Sequence, residues 1–355
     1  MIHALPTADV LGYRIGPDYW WVILVKGVII LGFLATAAAY STYAERKVAA
    51  HIQLRIGPNR VGPIGLLQPA ADAVKLLFKE NVAPSGRDKL LYVIAPGFAA
   101  AAAIFAFAVI PVSGVSTVDG GYQLHWDIAH LNVGLLYILA VTSLGVYAIF
   151  LGGWSANSKY SLLGALRSSA QLISYEMAVA FALMGAIILS QSLDLEAIVT
   201  AQHHVWFVVL QPLGFLLYFM GALAETNRLP FDLPEAETEL VAGYHTEYSG
   251  MRFGFYFLGE YINMVTVSAI ATTLFLGGWL PLPILDRIPI LGDDLGFVWF
   301  LGKVFLLIFV MMWIRWTLPR LRYDRLMNLG WKVLLPLGLL NIAVTGAVVA
   351  IKAST

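Results

Sequence analysis

The sequence predicts an all-α polytopic membrane protein with eight transmembrane helices and one amphipathic helix at the membrane interface. Of the 355 residues, 59% are hydrophobic and only 12% are charged, whereas soluble domains carry about 25% charged residues. Eight apolar stretches reach the length of about 20 residues that a helix needs to cross a bilayer. They are predicted to be helices because backbone groups must be hydrogen-bonded within lipid. They are too long and too uniformly apolar for the alternating strands of a membrane β-barrel.

The eight predicted spans show no internal repeat, and their ends are marked by aromatic residues. Trp20, Trp279 and Trp331 lie near span ends, where interfacial tryptophans anchor helices. Together the spans are expected to form a single membrane domain over residues 1–355. They are predicted at residues 19–40, 90–112, 131–151, 162–189, 205–224, 255–280, 297–316 and 331–351.

Lysine and arginine residues predict the orientation, because they are concentrated in cytoplasmic loops. The four loops that follow the odd-numbered spans, with the adjoining span ends, hold 17 of them, whereas the opposite side offers 3. Both termini are therefore predicted to lie on the external, periplasmic side. The N-terminus has neither a basic start nor a small-residue cleavage site, so it is not interpreted as a removable signal peptide.

The first cytoplasmic loop, predicted over residues 45–89, contains an amphipathic helix at 66–79. Apolar residues recur at helical spacing on one side of this segment, and polar residues take the other. Such a helix lies in the membrane plane or folds back against the bundle. A simple surface anchor would give the same periodicity. Gly57-Pro58 and Gly62-Pro63 are typical of tight turns, and they precede the helix.

Three glutamates occur within the predicted spans. Glu176 lies near the middle of the fourth span, Glu225 at the cytoplasmic end of the fifth, and Glu260 a short way into the sixth from the same side. A charged carboxylate at the bilayer centre costs roughly 3 kcal/mol or more. The three residues therefore indicate a path for protons or cations. A protonated structural glutamate at 176, or an interfacial side chain at 225, is the alternative.

An acidic cytoplasmic loop is predicted over residues 225–254. Two prolines restrict its backbone, and Arg228 and Arg252 are its cations. A solvated acidic loop is one interpretation. Mutual repulsion that keeps protons bound near neutral pH is the other, and it rests on three glutamates at alternate positions, Glu235, Glu237 and Glu239.

Several classes of site are not indicated by the sequence. The chain has no cysteine, which excludes disulfides and cysteine-ligated iron–sulfur clusters within it. Its seven histidines lack the HExxH spacing, and no glycine-rich nucleotide loop is visible. We predict no metal site. A net charge of zero gives no reason to expect nucleic-acid binding.

Three long segments resemble the quinone-site membrane subunits of type I NADH:quinone oxidoreductase, respiratory complex I. The GPNRVGP and LPFDLPEAE strings within them are highly specific, and the eight spans are similar across the whole chain. The segments read AERKVAAHIQLRIGPNRVGPIGLLQPAADAVKLLFKE, QLISYEMA and AETNRLPFDLPEAETELVAGYHTEYSGMRFGFYFLGEY.

The resemblance implies a role for each matching residue. Arg46, Arg55, Asp72, Phe231 and Asp232 are expected to line or flank the membrane part of a quinone chamber. The resemblance assigns the other acids and bases as follows: Glu176, Glu225 and Glu260 to an acidic proton path, Glu235, Glu237 and Glu239 to a loop that senses quinone reduction, and Lys75, Arg167 and Arg228 to supporting basic positions.

The resemblance also implies partners and a location. The chain would bind no cofactor alone and would hold no complete catalytic site. A quinone, either ubiquinone or menaquinone, would be the substrate, with FMN and iron–sulfur clusters in partner subunits. The expected partners are the peripheral-arm quinone-site and iron–sulfur subunits, the small membrane subunits beside the antiporter-like subunits, and the lipid bilayer. The chain length, the Gly/Ala-rich spans and only nine methionines favour a bacterial inner membrane.

Two other functions remain open from the sequence. Membrane-bound hydrogenases use a homologous subunit without quinone, although the two specific strings favour the quinone enzymes. A stand-alone ion transporter is the second alternative. The missing inverted repeat counts against it.

Overall fold

A computed structural model gives the fold over residues 20–114, 116–118, 122–124, 126–232, 242–282 and 295–354. Within these ranges, seven helical stretches are long and apolar enough to cross a membrane. The chain is thus a mostly helical polytopic membrane protein. In chain order the helices are α1 (Trp20–Ile52), α2 (Gln68–Phe78), α3 (Lys89–Phe107), α4 (Gly134–Ser155), α5 (Lys159–Ser190), α6 (Leu195–Thr200), α7 (Phe207–Leu210), α8 (Pro212–Glu225), α9 (Gly250–Phe275), α10 (Gly296–Thr317), α11 (Tyr323–Leu329) and α12 (Leu335–Ser354).

Shorter elements connect these helices. A π-helical turn at Gly330–Leu334 joins α11 to α12, so that Tyr323–Ser354 is one continuous helical stretch. Two 3₁₀ turns lie at Pro63–Gly65 and Gly243–His245. Strands β1 (Ser116–Val118) and β2 (Tyr122–Leu124) pair antiparallel, and the sequence did not predict this hairpin.

The fifth predicted span, residues 205–224, is not one continuous helix. It is divided into α7, with four residues, and α8, with 14. Gln211, between them, has φ −133° and ψ 57°, because the residue before a proline is pushed out of the helical region. Pro212 also lacks the N–H that would continue the helix. At 1.5 Å per residue, α8 is about 21 Å long, whereas the hydrocarbon core of a bilayer is about 30 Å thick.

The first span extends beyond its predicted end at residue 40. Helix α1 continues to Ile52, because the charged segment after the apolar run is also rich in helix-forming alanine. Helix α2 (Gln68–Phe78) lies within the segment 66–79 that the sequence predicts as an amphipathic helix. Its apolar face is largely uncovered, since Leu77 is 61% and Phe78 is 86% exposed.

Helix α9 is the central helix of the described bundle. In its most apolar window 78% of the residues are buried, compared with 17% for α1 and 22% for Tyr323–Ser354. Its mean hydropathy is 1.2, against at least 2.0 for the other six long stretches. A buried helix can carry hydroxyl groups because they bond to the preceding turn. Thr266 and Ser268 donate in this way to Ile262 and Met264 carbonyls, at 3.0 and 2.8 Å.

The end of α9 opposite Glu260 is held by a buried lysine of α10. Lys303 is 8% exposed, and its Nζ donates to the carbonyls of Leu276, Gly278 and Leu280 at 2.7, 2.9 and 2.6 Å. The ammonium also lies 4.3 Å from the ring centre of Trp206. A cation is favoured at the C-terminus of a helix, so this group ties α9 and α10 together at that end.

Candidate functional site

The three glutamates that the sequence places within spans share one cavity. Glu176 of α5, Glu225 of α8 and Glu260 of α9 all line a cavity of about 90 Å³, which we call the acid cavity. A water molecule needs roughly 10–30 Å³ of such space, so the cavity has room for several waters. Carboxyl groups around a small wet cavity can take up and pass protons.

Small residues in the surrounding helices leave the volume of the acid cavity unfilled. Ala99 and Ala103 of α3 and Gly145 of α4 form part of its wall, beside Gly259. A Cβ atom at Gly259 would lie 3.2 Å from the backbone nitrogen of Ala100. Helices α3 and α9 therefore approach closely next to Glu260, as small residues allow in membrane bundles.

A buried ion-pair network adjoins the acid cavity. Arg228 is 3% exposed. Its Nη1 donates to Glu45 Oε2 at 2.7 Å, and its Nε lies 2.6 Å from Glu260 Oε1. Its guanidinium lies 4.4 Å from the ring centre of Tyr261, whose hydroxyl donates to Glu45 Oε2 at 2.6 Å. Arg315 also pairs with Glu45.

The two carboxylates keep Arg228 charged. Burial would lower the pKa of Arg228, but Glu260 and Glu45 outweigh burial and hold that pKa well above its usual value. A buried charge is tolerated only when it is paired in this way. Glu45, Arg228 and Glu260 therefore form one electrostatic unit.

One side chain of α5 fixes the loop that carries Arg228. Gln171 is fully buried, and its Nε2 donates to the carbonyls of Ala224 and Phe231 at 2.8 and 2.7 Å. The loop from the end of α8 to Phe231 is thereby fastened on both sides of Arg228. This contact positions the guanidinium between Glu45 and Glu260.

Two further pockets lie on the predicted cytoplasmic side. The first, of about 420 Å³, is lined by α2 and the start of α9, and we call it the α2 pocket. The second, of about 220 Å³, is lined by Glu45, Arg55, Tyr261 and Arg315, and we call it the Glu45 pocket. Arg46 lines both of them.

The predicted quinone-chamber residues fall into two groups. Arg46, Arg55 and Asp72 line the two pockets, as does Lys75. Arg46 Nη1 donates to Asp72 Oδ2 at 2.6 Å. Because these side chains are 52% and 32% exposed, the pair contributes little to stability.

Phe231 and Asp232 lie elsewhere and line none of these three pockets. Phe231 packs against the ring of Tyr175, with centroids 5.4 Å apart. Asp232 Oδ2 accepts a hydrogen bond from Arg320 Nη2 at 3.0 Å. Their assignment to the quinone chamber stays a prediction.

The remaining residues predicted from the sequence do not lie together at one site. Arg228 lies in the ion-pair network, whereas the guanidinium of Arg167 lies 6.0 Å from the ring centre of Tyr323. Glu235, Glu237 and Glu239 lie outside the described residues. Among the residues that the structure does describe, no group of three or more His, Asp and Glu side chains is arranged to hold a metal ion.

Glu45, Tyr261 and Arg315 received no functional role from the sequence. A signal for Glu45 was present in α1, where Leu34, Ala38, Ser41 and Glu45 recur at steps of four, three and four residues. All four are at most 4% exposed, although most of α1 is not buried. The basic residues after Glu45 obscured this pattern.

Comparison with known proteins gives one consistent result. Residues 25–346 match the family described as NADH dehydrogenase. The chain is similar to an H subunit of NADH-quinone oxidoreductase from Geobacter metallireducens, with 52% identity over 94% of this chain and 97% of the relative. It is also similar to the H subunit from Rickettsia typhi, with 52% identity over 92% and 93%. The H subunit from Frankia alni is 50% identical over 97% of this chain and 76% of its own length.

Proposed function

Because this chain belongs to the NADH dehydrogenase family, we propose that it forms the membrane part of a quinone-binding chamber and the start of a proton path in NADH-quinone oxidoreductase. The chain is a multi-pass membrane subunit of that enzyme complex. We propose that it holds no complete active site on its own. The observation that carries the proposal is the pair of contacts that Arg228 makes. One joins it to Glu260 in the acid cavity, the other to Glu45 in a separate pocket.

The proposed topology has eight membrane crossings. The seven long helical stretches supply seven of them, and α7 with α8 supplies the eighth as a broken helix. Broken helices are tolerated at membrane depth where they are covered by protein. Both termini lie on the external side of a bacterial inner membrane, in agreement with the distribution of lysine and arginine.

The α2 pocket and the Glu45 pocket are the proposed quinone side. A quinone has an apolar tail and two carbonyl acceptors, so it needs apolar walls with a few donors. Phe253 and Phe257 provide apolar walls, and Arg46 and Lys75 provide hydrogen-bond donors. The uncovered apolar face of α2 offers the tail a way in from lipid. FMN and iron–sulfur clusters are placed in partner subunits.

The acid cavity is the proposed proton side. Reduction of a quinone to a quinol takes up two protons, and a transient negative charge at the Glu45 pocket would attract the guanidinium groups of Arg228 and Arg315. Movement of Arg228 away from Glu260 would leave that carboxylate without its counter-charge and favour proton uptake by it. Quinone reduction at the Glu45 pocket would thus favour proton uptake by Glu260 in the acid cavity.

The test is charge-neutral substitution in the assembled enzyme. Glu176→Gln, Glu225→Gln and Glu260→Gln should each lower the number of protons translocated per NADH, because each removes a titrating group from the acid cavity. The measurement is proton uptake by inside-out membrane vesicles during NADH oxidation. Glu196→Gln is the matched control, since Glu196 lies on α6 and pairs with His130. An unchanged proton stoichiometry in all three cavity variants would contradict the proposal.

A further inference from the structure

Four buried tyrosines form the wall between the α2 pocket and the acid cavity. Tyr92 and Tyr248 stack with ring centroids 4.3 Å apart and planes 7° from parallel. Tyr256 meets Tyr248 and Tyr244 edge to face, at 5.1 and 5.2 Å. None of the four is more than 9% exposed. Tyr248 lines the α2 pocket, whereas Tyr244 and Tyr256 line the acid cavity.

Two hydroxyl groups lie beside Gly152 inside this wall. The hydroxyl of Tyr248 lies 3.1 Å from Ser155 Oγ and 3.2 Å from the carbonyl of Gly152. The hydroxyl of Tyr256 donates to the carbonyl of Ala148 at 3.5 Å, one helical turn before Gly152 on the same helix. A Cβ atom at Gly152 would lie only 2.1 Å from the Tyr256 oxygen and 3.7 Å from that of Tyr248. The bare glycine backbone therefore makes room for both groups.

A second connection to the acid cavity passes through Arg228. A guanidinium keeps its proton throughout the physiological pH range, so it cannot accept a proton from one side and release it on the other. Its positive charge also repels a passing proton. Arg228 can thus transmit an electrostatic change from Glu45 to Glu260, but its guanidinium does not relay a proton.

We propose that Tyr248 and Tyr256 pass protons through their hydroxyls from the α2 pocket to the acid cavity. The inference rests on the proposed function, and it adds a route for protons that is separate from the ion-pair network. In each transfer, Tyr256 gives its proton to a water or carboxylate of the acid cavity. It takes one from Tyr248, which takes one from water in the α2 pocket. Each hydroxyl gains one proton and loses one, so neither ends with a charge.

The surroundings favour this neutral transfer. Burial raises the pKa of the Tyr248 hydroxyl, so the group keeps its proton at neutral pH and can both donate and accept. Burial lowers the pKa of the adjacent His245 to about 4. His245 is therefore uncharged at neutral pH. The cations Arg87 and Arg252 lie at the ring of Tyr92, at 5.5 and 5.2 Å, and not between Tyr248 and Tyr256.

Tyrosine-to-phenylalanine variants test the route, because they remove one oxygen atom and keep the ring. Tyr248→Phe and Tyr256→Phe should each slow NADH:quinone turnover in coupled vesicles several-fold. The double variant should be no slower than the worse single variant, since both hydroxyls act in series. Tyr92→Phe is the matched control, because its hydroxyl donates to the Glu247 carbonyl at 2.5 Å and Tyr92 lines neither pocket. It should turn over like the unaltered enzyme.

Native electrophoresis of each variant must first show an assembled complex. If Tyr256→Phe does not assemble, 3,5-difluorotyrosine at position 256 keeps the ring and the hydroxyl but makes the hydroxyl more acidic, and turnover should still change. Unchanged turnover in assembled Tyr248→Phe and Tyr256→Phe, or in the difluorotyrosine enzyme, overturns the proposed route. So do additive losses in the double variant. If the acid-cavity glutamine variants still lose proton translocation, the proposed function stands without this route.

Discussion

Among single residues, Arg228 joins Glu45 to Glu260 on the predicted cytoplasmic side. Its guanidinium contacts Glu45 and Glu260 and lies on the ring of Tyr261. The planar guanidinium suits these contacts, because it carries several donors in one plane and stacks on aromatic rings. A lysine at this position would offer its donors from one nitrogen, whereas Arg228 contacts Glu45 through Nη1 and Glu260 through Nε. The network therefore depends on arginine rather than on positive charge alone.

Removal of Arg228 should destabilise the protein through the charge left behind. Arg228→Met leaves Glu260, whose side chain is 21% exposed, without its cation, and breaking a buried pair on one side costs at most about 3–5 kcal/mol. We expect a lower midpoint of thermal unfolding for the purified complex. Arg228→Lys should give a midpoint between those of Arg228→Met and the unaltered protein.

A second substitution separates this cause from simple loss of packing. Arg228→Met with Glu260→Gln should regain part of the lost stability, because the unpaired carboxylate is gone. Arg228→Met with Glu45→Gln should regain less, since Glu45 still has Arg315 and Tyr261 as partners. Equal behaviour of the two double variants would contradict the assignment of charges in this network.

The sequence identified the intramembrane glutamates but not their neighbours. Glu176, Glu225 and Glu260 could be identified because each interrupts an apolar stretch. Glu45 could not, because it begins a basic segment that already had an explanation as a cytoplasmic anchor. Its pairing with Arg228 joins residues 183 positions apart in the chain, and no local pattern encodes such a contact.

Among the helices, the break between α7 and α8 is stabilised by a buried polar clamp. Gln211 Nε2 donates to Thr345 Oγ1 at 2.6 Å, and Gln211 Oε1 accepts from Asn341 Nδ2 at 3.0 Å. Both partners lie on α12. The clamp fixes the start of α8 against α12, and the rigid helix then carries Glu225 to the acid cavity.

A methyl group at Gly185 of α5 should disrupt this clamp. In Gly185→Ala the new Cβ would lie 2.0 Å from Gln211 Oε1 and 2.9 Å from Asn341 Nδ2, and such overpacking costs about 1–3 kcal/mol. We expect a lower unfolding midpoint. The matched control is Gly346→Ala on α12, which meets nothing within 4 Å. It should be neutral or slightly stabilising, because alanine is favoured in a helix by about 1 kcal/mol. Equal midpoints for the two variants would contradict the clamp.

The sequence predicted the positions of those helices that coincide with a long apolar stretch. The long apolar stretches and the amphipathic helix were found from composition and periodicity alone. The division at Gln211 was missed, although Pro212 was visible, because proline is frequent in membrane helices. The extension of α1 to Ile52 was missed because hydropathy marks where lipid ends and not where a helix ends.

On the scale of the whole molecule, the burial is uneven. Helix α9 is enclosed, whereas α1 and the Tyr323–Ser354 stretch expose most of their apolar side chains. Such surfaces are satisfied by lipid or by other membrane chains. The composition predicted a membrane protein, but only the packing shows which helices occupy its centre.

The chain should be found in a large assembly. Native electrophoresis of mild-detergent membranes carrying a tagged copy should give a very large band with NADH dehydrogenase activity. Flavin and iron–sulfur subunits should co-migrate with it, because the proposed quinone side needs an electron donor. A band with hydrogenase subunits, or a small band without partners, would contradict the proposed function. The unaltered chain without its tag, run in parallel and detected by activity, is the control.

The contact of Lys303 with three carbonyls has a mechanical consequence. It joins α9 and α10 at the end opposite Glu260 and Arg315, so any relative tilt of the two helices would pivot there. Arg315 lies 12 residues from Lys303, which is about 18 Å along the helix. A tilt of about 5° around that pivot would move the guanidinium by about 1.6 Å, which is enough to exchange a direct ion pair for a water-separated one. The contact of Lys303 at one end of the two helices would thus convert a small tilt into a change in the ion pairing of Arg315 at the other end.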